Sequence, residues 1–471
     1  MIHKKKVLST LMALVSCSVL SITTYADNRD LIAPQVKGDV TQFSGATRLK
    51  EERSQALKAA INNRHVKNII LIIGDGTSDS EITSARNYIK GASGYFPGID
   101  ALPFTGSYTT YALNKDKSIE YVTDSAASAS AWATGVKTYN GALGVDIYDK
   151  PQTSILALAK KAGYATGNVT TSELQDATPA ALVSHVPKRK CYSPSSTTKL
   201  CPKEALENGG LGSISEQLLD ARADVTFGGG MKSFQEKATA GKFQGKTLLE
   251  QAQTENYQVV TDKSELDKIT IANQKQPVLG LFASGNLAVR WLGPEAVHGG
   301  NEKVAERCQP NPEYKASTPS LKEMTDKAIN LLKMNPKGFF LQVESASIDK
   351  RNHEADACGQ IGETLALDEA VQSALAFAKT NPDTLIILTG DHAHTSQIVP
   401  LDSPSPGKTV KLLTQDNAPM VLNYATSDKG SQEHTGSQVR VAAYGPRAAN
   451  IVGLTDQTDL FFIMKDALKI K

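Results

Sequence analysis

Three apolar runs of this 471-residue chain end in acids. Ile69-Ile70-Leu71-Ile72-Ile73 leads into Gly74-Asp75-Gly76, Phe339-Phe340-Leu341-Gln342-Val343 into Glu344, and Leu385-Ile386-Ile387-Leu388 into Thr389-Gly390-Asp391-His392. Such runs read as buried strands, and open α/β sheets bind ligands beyond the carboxyl ends of their strands, so these acids are expected to share one edge. Like charges that close need protons or cations to compensate them. The histidines favour cations. Asp349 and His353 stand at i, i+4, on one face of a helix, and His392 follows Asp391 directly. Imidazole with carboxylate suits Zn²⁺, whereas an all-oxygen set suits Mg²⁺. A lone strand-end Asp is more often a turn or helix cap, so the inference rests on the set. Of the eight histidines, His65, His185 and His298 show no such pattern, and His394 is expected to point away if the strand through Asp391 continues.

The second chemical element is Thr123-Asp124-Ser125-Ala126-Ala127-Ser128-Ala129-Ser130-Ala131. Small residues favour a helix with Asp124 near its start, which puts Ser125 at the positive end of the dipole, where a phosphate or oxyanion is favoured. A Ser at a helix start is ordinarily a cap. Next to metal ligands it becomes a candidate nucleophile, and with no Ser-His-Asp arrangement evident, metal coordination is the route that activates it.

The elements that must position these groups alternate along the chain. Segments 68–73, 165–169, 225–227, 278–282, 339–343, 385–388 and 439–443 read as strands rich in Ile, Val, Leu and Phe. Segments 154–162, 213–221, 321–334 and 364–380 carry helical spacing. This alternation predicts a doubly wound α/β fold, a mostly parallel central sheet with helices on both faces. Residues 232–275 and 402–415 are polar and read as surface insertions.

Lys4, Lys5 and Lys6 before an apolar run, with Thr24-Tyr25-Ala26 offering a cleavage site, form a signal peptide over residues 1–26. Residues 27–64 then read as an N-terminal arm, with a short helix over 56–61, and residues 65–471 as one catalytic domain. Cleavage leaves 48 basic against 49 acidic residues. That balance removes the support for nucleic-acid binding by bulk charge. No segment is apolar enough to be a transmembrane helix. Export implies an oxidising destination, the periplasm, where Cys191, Cys201, Cys308 and Cys358 are expected to form two disulfides. Of three possible pairings, Cys191 with Cys201 and Cys308 with Cys358 are the least demanding. Leu14-Val15-Ser16-Cys17 also fits a lipoprotein box, which leaves lipidation at Cys17 as the alternative to cleavage after Ala26.

Over nearly the whole mature sequence, from about Lys67 on, the chain resembles the bacterial alkaline phosphatases of the periplasmic, enterobacterial type. The resemblance is carried by Tyr121-Val122-Thr123-Asp124-Ser125-Ala126-Ala127-Ser128, Leu174-Gln175-Asp176-Ala177-Thr178-Pro179-Ala180, Ser347-Ile348-Asp349-Lys350, Asp391-His392-Ala393-His394 and Gln432-Glu433-His434-Thr435-Gly436-Ser437. It implies hydrolysis of phosphate monoesters of broad range by a homodimer, with two Zn²⁺ and one Mg²⁺ per subunit. In that family pattern Ser125 is the nucleophile that becomes phosphoserine. Asp349, His353 and His434 hold one zinc, and Asp75, Asp391 and His392 the other. Asp75, Glu344 and Thr178 hold the magnesium, with Asp176 reaching it through water. Arg189 clamps the phosphate, Asp124 orients Arg189, and Lys350 meets the phosphate through water. An alkaline optimum follows from nucleophiles that act as oxyanions.

Thr77-Ser78 stands where the family has Met-Gly, Ser345 where it has Gly, and Gly390 where it has Ala. All adjoin ligands, so they bear on turnover or metal affinity rather than on the chemistry. Two other readings compete. A related sulfatase lacks support, because Ser125-Ala126-Ala127-Ser128-Ala129 has no C/S-x-P-x-R pattern, and a phosphodiesterase would need room where Arg189 and Lys350 fix the phosphate. A non-catalytic phosphate or metal binder would have no use for a nucleophile at a helix start.

Overall fold

A computed structural model describes residues 36–39, 45, 48–49 and 53–470. The proposed signal peptide and the lipidation site at Cys17 lie outside the described residues. Of the expected arm, a two-residue antiparallel pairing of Val36–Lys37 with Arg48–Leu49 and a helix over Ser54–Ala60 are described.

The described strands of the main sheet are β1 (Asn68–Gly74), β2 (Phe104–Thr109), β3 (Ala165–Glu173), β4 (Val225–Gly229), β5 (Gln258–Val260), β6 (Val278–Leu281), β7 (Phe339–Ser345), β8 (Thr384–Gly390), β9 (Val439–Tyr444) and β10 (Gly453–Asp456). Their order across the sheet is β10-β2-β9-β8-β1-β7-β3-β4-β6-β5. All neighbours pair in parallel except β9, which runs against both β8 and β2. The expected mostly parallel sheet is therefore present, and all seven strands read from the sequence belong to it.

The helices that position the site are α1 (Asp79–Lys90), α2 (Ser125–Thr134), α3 (Leu321–Leu332), α4 (Ser347–His353), α5 (Ala357–Thr380) and α6 (Asp459–Ala467). Alternate residues of the central strands supply two cores. Ile70, Ile72, Leu341, Val343, Ile386 and Leu388 face α1, α3 and α5, while Ile69, Leu71, Ile73, Phe340, Leu385 and Ile387 face α2 and α6. Burial on both faces explains why these strands are continuous Ile, Val, Leu and Phe rather than alternating. Each fully buried side chain contributes roughly 1.5–3 kcal/mol.

The polar stretch 232–275 is more than a surface excursion. Phe234, Phe243, Leu248, Ala252 and Tyr257 build a third apolar cluster with Leu218, Leu279 and Leu281, and Gln258–Val260 supplies the edge strand β5. Likewise 402–415 contains Lys408–Leu413, which pairs with Pro419–Tyr424 in a separate three-stranded sheet. Both disulfides have the expected partners, Cys191–Cys201 and Cys308–Cys358. The second closes 50 residues and ties the chain before α3 to the first turn of α5. No helix among the described residues is long and apolar enough to cross a membrane.

Candidate active site

The register of the three central strands places the acids. Gly74 pairs with Ser345 on one side and with Gly390 on the other. Asp75 and Asp391 therefore leave the sheet at one level, Glu344 stands next to them at the end of β7, and all three are buried. From the neighbouring strand, Thr170 pairs with Glu344 and donates its hydroxyl to that carboxylate. Above this edge α2 starts at Ser125, capped by Asp124. The Asp124 carboxylate accepts from Ala127 N–H and Gly141 N–H, each at 2.9 Å. Ser125 is buried at the positive end of the helix, as expected. Its Oγ lies 3.2 Å from His392 Nε2 and 3.4 Å from Asp75 Oδ1.

Two groups of donor atoms converge here, each within 4.8 Å: Asp75, Asp391 and His392, and Asp349, His353, His394 and His434. The first two acids are strained by their neighbours. Burial, then the charges of Asp349 and Asp391, push Asp75 well above the usual carboxylate range. Burial and Asp349 push Asp391 up to about 6. Burial, then His434, holds His392 well below an ordinary histidine, so its ring is neutral. Asp391 Oδ2 is buried without a hydrogen bond, and Asp349 Oδ1 is ringed by histidine nitrogens at 3.2–3.5 Å. Buried carboxylate oxygens that converge on imidazole nitrogens fit divalent cations, which would satisfy them at once.

His394 is the residue that sequence reasoning missed. Strand β8 stops at Gly390, so His394 does not continue its alternation. It turns inward, almost fully buried, with Nε2 at 3.2 Å from Asp349 Oδ1. Hydrogen bonding separates its role from that of the other three rings. His353 Nδ1 faces Gln432 O, His434 Nδ1 lies 3.0 Å from Thr123 O, and His392 Nδ1 lies 3.4 Å from Ala393 O. A ring nitrogen facing a carbonyl carries a proton, so each of these rings turns Nε2 toward its cluster. His353 Nε2 and His434 Nε2 meet at 3.1 Å. In His394, by contrast, Nδ1 accepts from Thr395 N–H at 2.9 Å. Its Nε2 is then the nitrogen turned toward Asp349 Oδ1, at 3.2 Å, so the ring stands against that carboxylate.

Asp349 is held well below the usual range: burial alone would raise it, but His394 and His434 more than offset that. Reciprocally, burial alone would lower His434, and the hydrogen bond and charge of Asp349 raise it to about 9. A histidine raised on folding stabilises fully below its unfolded value, near 6.5, and that contribution is lost as pH rises through 9. Metal-stripped protein is therefore expected to lose about 1–3 kcal/mol between pH 6.5 and 9. Urea unfolding at the two pH values checks this. The loss should vanish in His434→Gln, and equal stability of the unsubstituted protein at both values would contradict it.

Asp176 sits among cations. Its Oδ1 accepts from Arg189 at 3.0 Å and from Tyr192 OH at 2.9 Å, and Oδ2 from Lys350 Nζ at 2.6 Å. Burial would raise Asp176, but Lys350 and Arg189 hold it well below the usual range. Arg189 also pairs with Asp124 at 3.2 Å, while its buried Nε has no partner among the described residues. Burial raises Glu344 to about 7 despite its hydrogen bond from Thr170, and the buried Thr178 hydroxyl faces the same carboxylate.

Two of the departures from the family pattern, Gly390 and the Thr77-Ser78 loop, meet in space. A Cβ at Gly390 would lie 1.9 Å from Thr77 O, so Ala does not fit while the Asp75–Ser78 loop keeps this path. Ser78 begins α1 with a capping box, Glu81 accepting from Ser78 N–H at 2.9 Å and from its hydroxyl at 2.6 Å. The other Glu81 oxygen accepts from Ser396 Oγ at 2.6 Å, which ties this loop to the segment beyond His394. Ser345 Oγ donates to Glu363 O at 3.0 Å, pointing into α5 and away from the site.

A serine at a capped helix start beside two clusters that could hold metal ions, with an arginine braced by two carboxylates, on the carboxyl edge of a parallel sheet, is the arrangement of a hydrolase of anionic esters. The alkaline phosphatase family model matches residues 66–432 and 410–470. The chain is 63% identical over 437 residues to an alkaline phosphatase of Escherichia coli, covering 92% of this chain and 93% of that one. It is 57% identical to alkaline phosphatase H of Pseudomonas aeruginosa, covering 96% of each. The solved alkaline phosphatase of Thermus thermophilus superposes with a TM-score of 0.63 at 25% identity, over 90% of this chain and 96% of the other. The chain belongs to the alkaline phosphatase family and hydrolyses phosphate monoesters.

Proposed function

We propose that hydrolysis proceeds in two displacements through a phosphoserine at Ser125, with two Zn²⁺ and one Mg²⁺ per subunit. The observation that carries this reading is the position of Ser125 Oγ, 3.2 Å from His392 Nε2 and 3.4 Å from Asp75 Oδ1, so that the hydroxyl joins a ligand cluster instead of a base relay. Asp349, His353 and His434 would hold one zinc, Asp75, Asp391 and His392 the second, and Asp75, Glu344 and Thr178 the magnesium, with Asp176 beside it. When bound, these ions supply Lewis-acid charge that lowers the pKa of the nucleophile and stabilises attacking and leaving oxygens.

This chain's residues do the remainder. Ser125 Oγ gives up its proton to water and forms a bond to phosphorus as the ester oxygen leaves with its electron pair and takes up a proton from water, so that the protons balance. A second displacement by water then breaks the Oγ–P bond and releases inorganic phosphate. Asp124 and Asp176 brace the Arg189 guanidinium, whose free Nε and planar fork suit two phosphate oxygens. Lys350, held by Asp176, adds a point charge. Because every recognised group belongs to the phosphoryl moiety, many alcohols are accepted.

We further propose that residues 1–26 export the chain to the periplasm, that 27–64 form an arm, that 65–471 form the catalytic domain, and that two copies assemble as a homodimer. A chromogenic monoester and its diester counterpart test the chemistry. The expected result is release from the monoester alone, abolished by chelator and restored by Zn²⁺ with Mg²⁺. Undiminished release after chelation would refute it.

A further inference from the structure

Gln457 belongs to no pattern that marks the site. It lies between β10 and α6, fully buried. We infer that Gln457 is a positioning residue that fastens the nucleophile helix to the loop carrying Asp391 and His392. Its Nε2 donates to Asp391 O at 2.5 Å and lies 2.6 Å from Ser128 Oγ, and Ser128 Oγ donates to Asp391 O at 2.7 Å. The three groups close a triangle. Ser128 stands one turn beyond Ser125 on α2, so the triangle links the helix that presents the nucleophile to the backbone that presents Asp391 and His392.

The need for such a link follows from the end of β8. Pairing between β8 and β9 ends at Thr389 with Val441, so on that side neither Gly390 nor Asp391 has a ladder partner. Buried carbonyls require donors. Tyr108 OH serves Gly390 O, and Ser128 with Gln457 serves Asp391 O, so three separate segments fix two consecutive peptides. Those peptides set the direction of the Asp391 and His392 side chains, and with it the 3.2 Å spacing between Ser125 Oγ and His392 Nε2. Groups that orient ligands in this way typically change metal affinity or activity about 10–100-fold when removed.

This inference rests on the proposed roles of Asp391 and His392 as zinc ligands. Gln457→Met keeps the length and removes the donor, and Ser128→Ala removes the other hydroxyl while favouring the helix. Zinc retention against a chromogenic chelator is measured on folded, full-length protein, together with kcat at low and at saturating zinc. The expected result for Gln457→Met is about 10-fold weaker zinc retention, with a kcat deficit that added zinc largely restores. Ser128→Ala should shift retention the same way by less, and serves if Gln457→Met does not fold. A role confined to stability would lower the melting temperature alone. Zinc retention unchanged in a folded variant, with the unsubstituted protein holding zinc, would overturn this inference and leave the proposed function standing. Absence of zinc from the unsubstituted protein would overturn both.

Discussion

Ser125→Ala is expected to lower kcat by at least about 10³-fold and to abolish any covalent phosphoprotein. Ala suits the first turn of a helix, and Asp124 keeps its capping bonds to Ala127 and Gly141, so α2 should still form. The clusters of Asp75, Asp391 and His392 and of Asp349, His353 and His434 lose no ligand other than the hydroxyl, and the Arg189 brace is untouched. Phosphate binding should therefore survive while covalent turnover does not. Single-turnover quench with a chromogenic monoester reads both. Near-normal turnover by the variant would remove Ser125 from the mechanism.

Asp349→Asn is expected to cost at least about 10²-fold in kcat/KM and to reduce the zinc content by one equivalent. The substitution keeps the shape and removes the charge on which three rings converge, His394 and His434 at 3.2 Å and His353 at 3.5 Å from Oδ1. It should also return His434 toward its ordinary pKa, since Asp349 supplies the largest contribution that raises it. The stability lost by stripped protein between pH 6.5 and 9 should then shrink as well. Elemental analysis with steady-state kinetics checks the first effect. Full zinc and full rate together would exclude Asp349 as a ligand.

Much of this arrangement was legible in the sequence, because a strand buried on both faces must be apolar throughout and the acids stand where such runs stop. Ile69–Ile73, Phe339–Val343 and Leu385–Leu388 announced both their conformation and the edge they share. The half-exposed strands Phe104–Thr109 and Gly453–Asp456, and the short edge strand Gln258–Val260, carry no such signal, and pairing alone recruits them. Residues 232–275 were misleading for a related reason: a few aromatic and aliphatic anchors suffice to bury a segment that is polar on average.

The site was legible as types and spacings, not as contacts. The i, i+4 pair Asp349 and His353 lies on α4 as its spacing required. His394 was misread because its direction depends on where β8 stops, and an apolar run that ends in Thr389-Gly390-Asp391 does not fix that point. Thr170 and Gln457 act through one hydroxyl and one amide, residue types too common to signal anything before the sheet register and the chain end bring them to Glu344 and Asp391.

The most direct test of the account is peptide mass spectrometry of protein quenched in acid during turnover, with and without prior chelation. The account predicts phosphoserine at Ser125 in the metal-replete sample and none after stripping. Phosphate on another residue, or undiminished label at Ser125 in stripped protein, would contradict it.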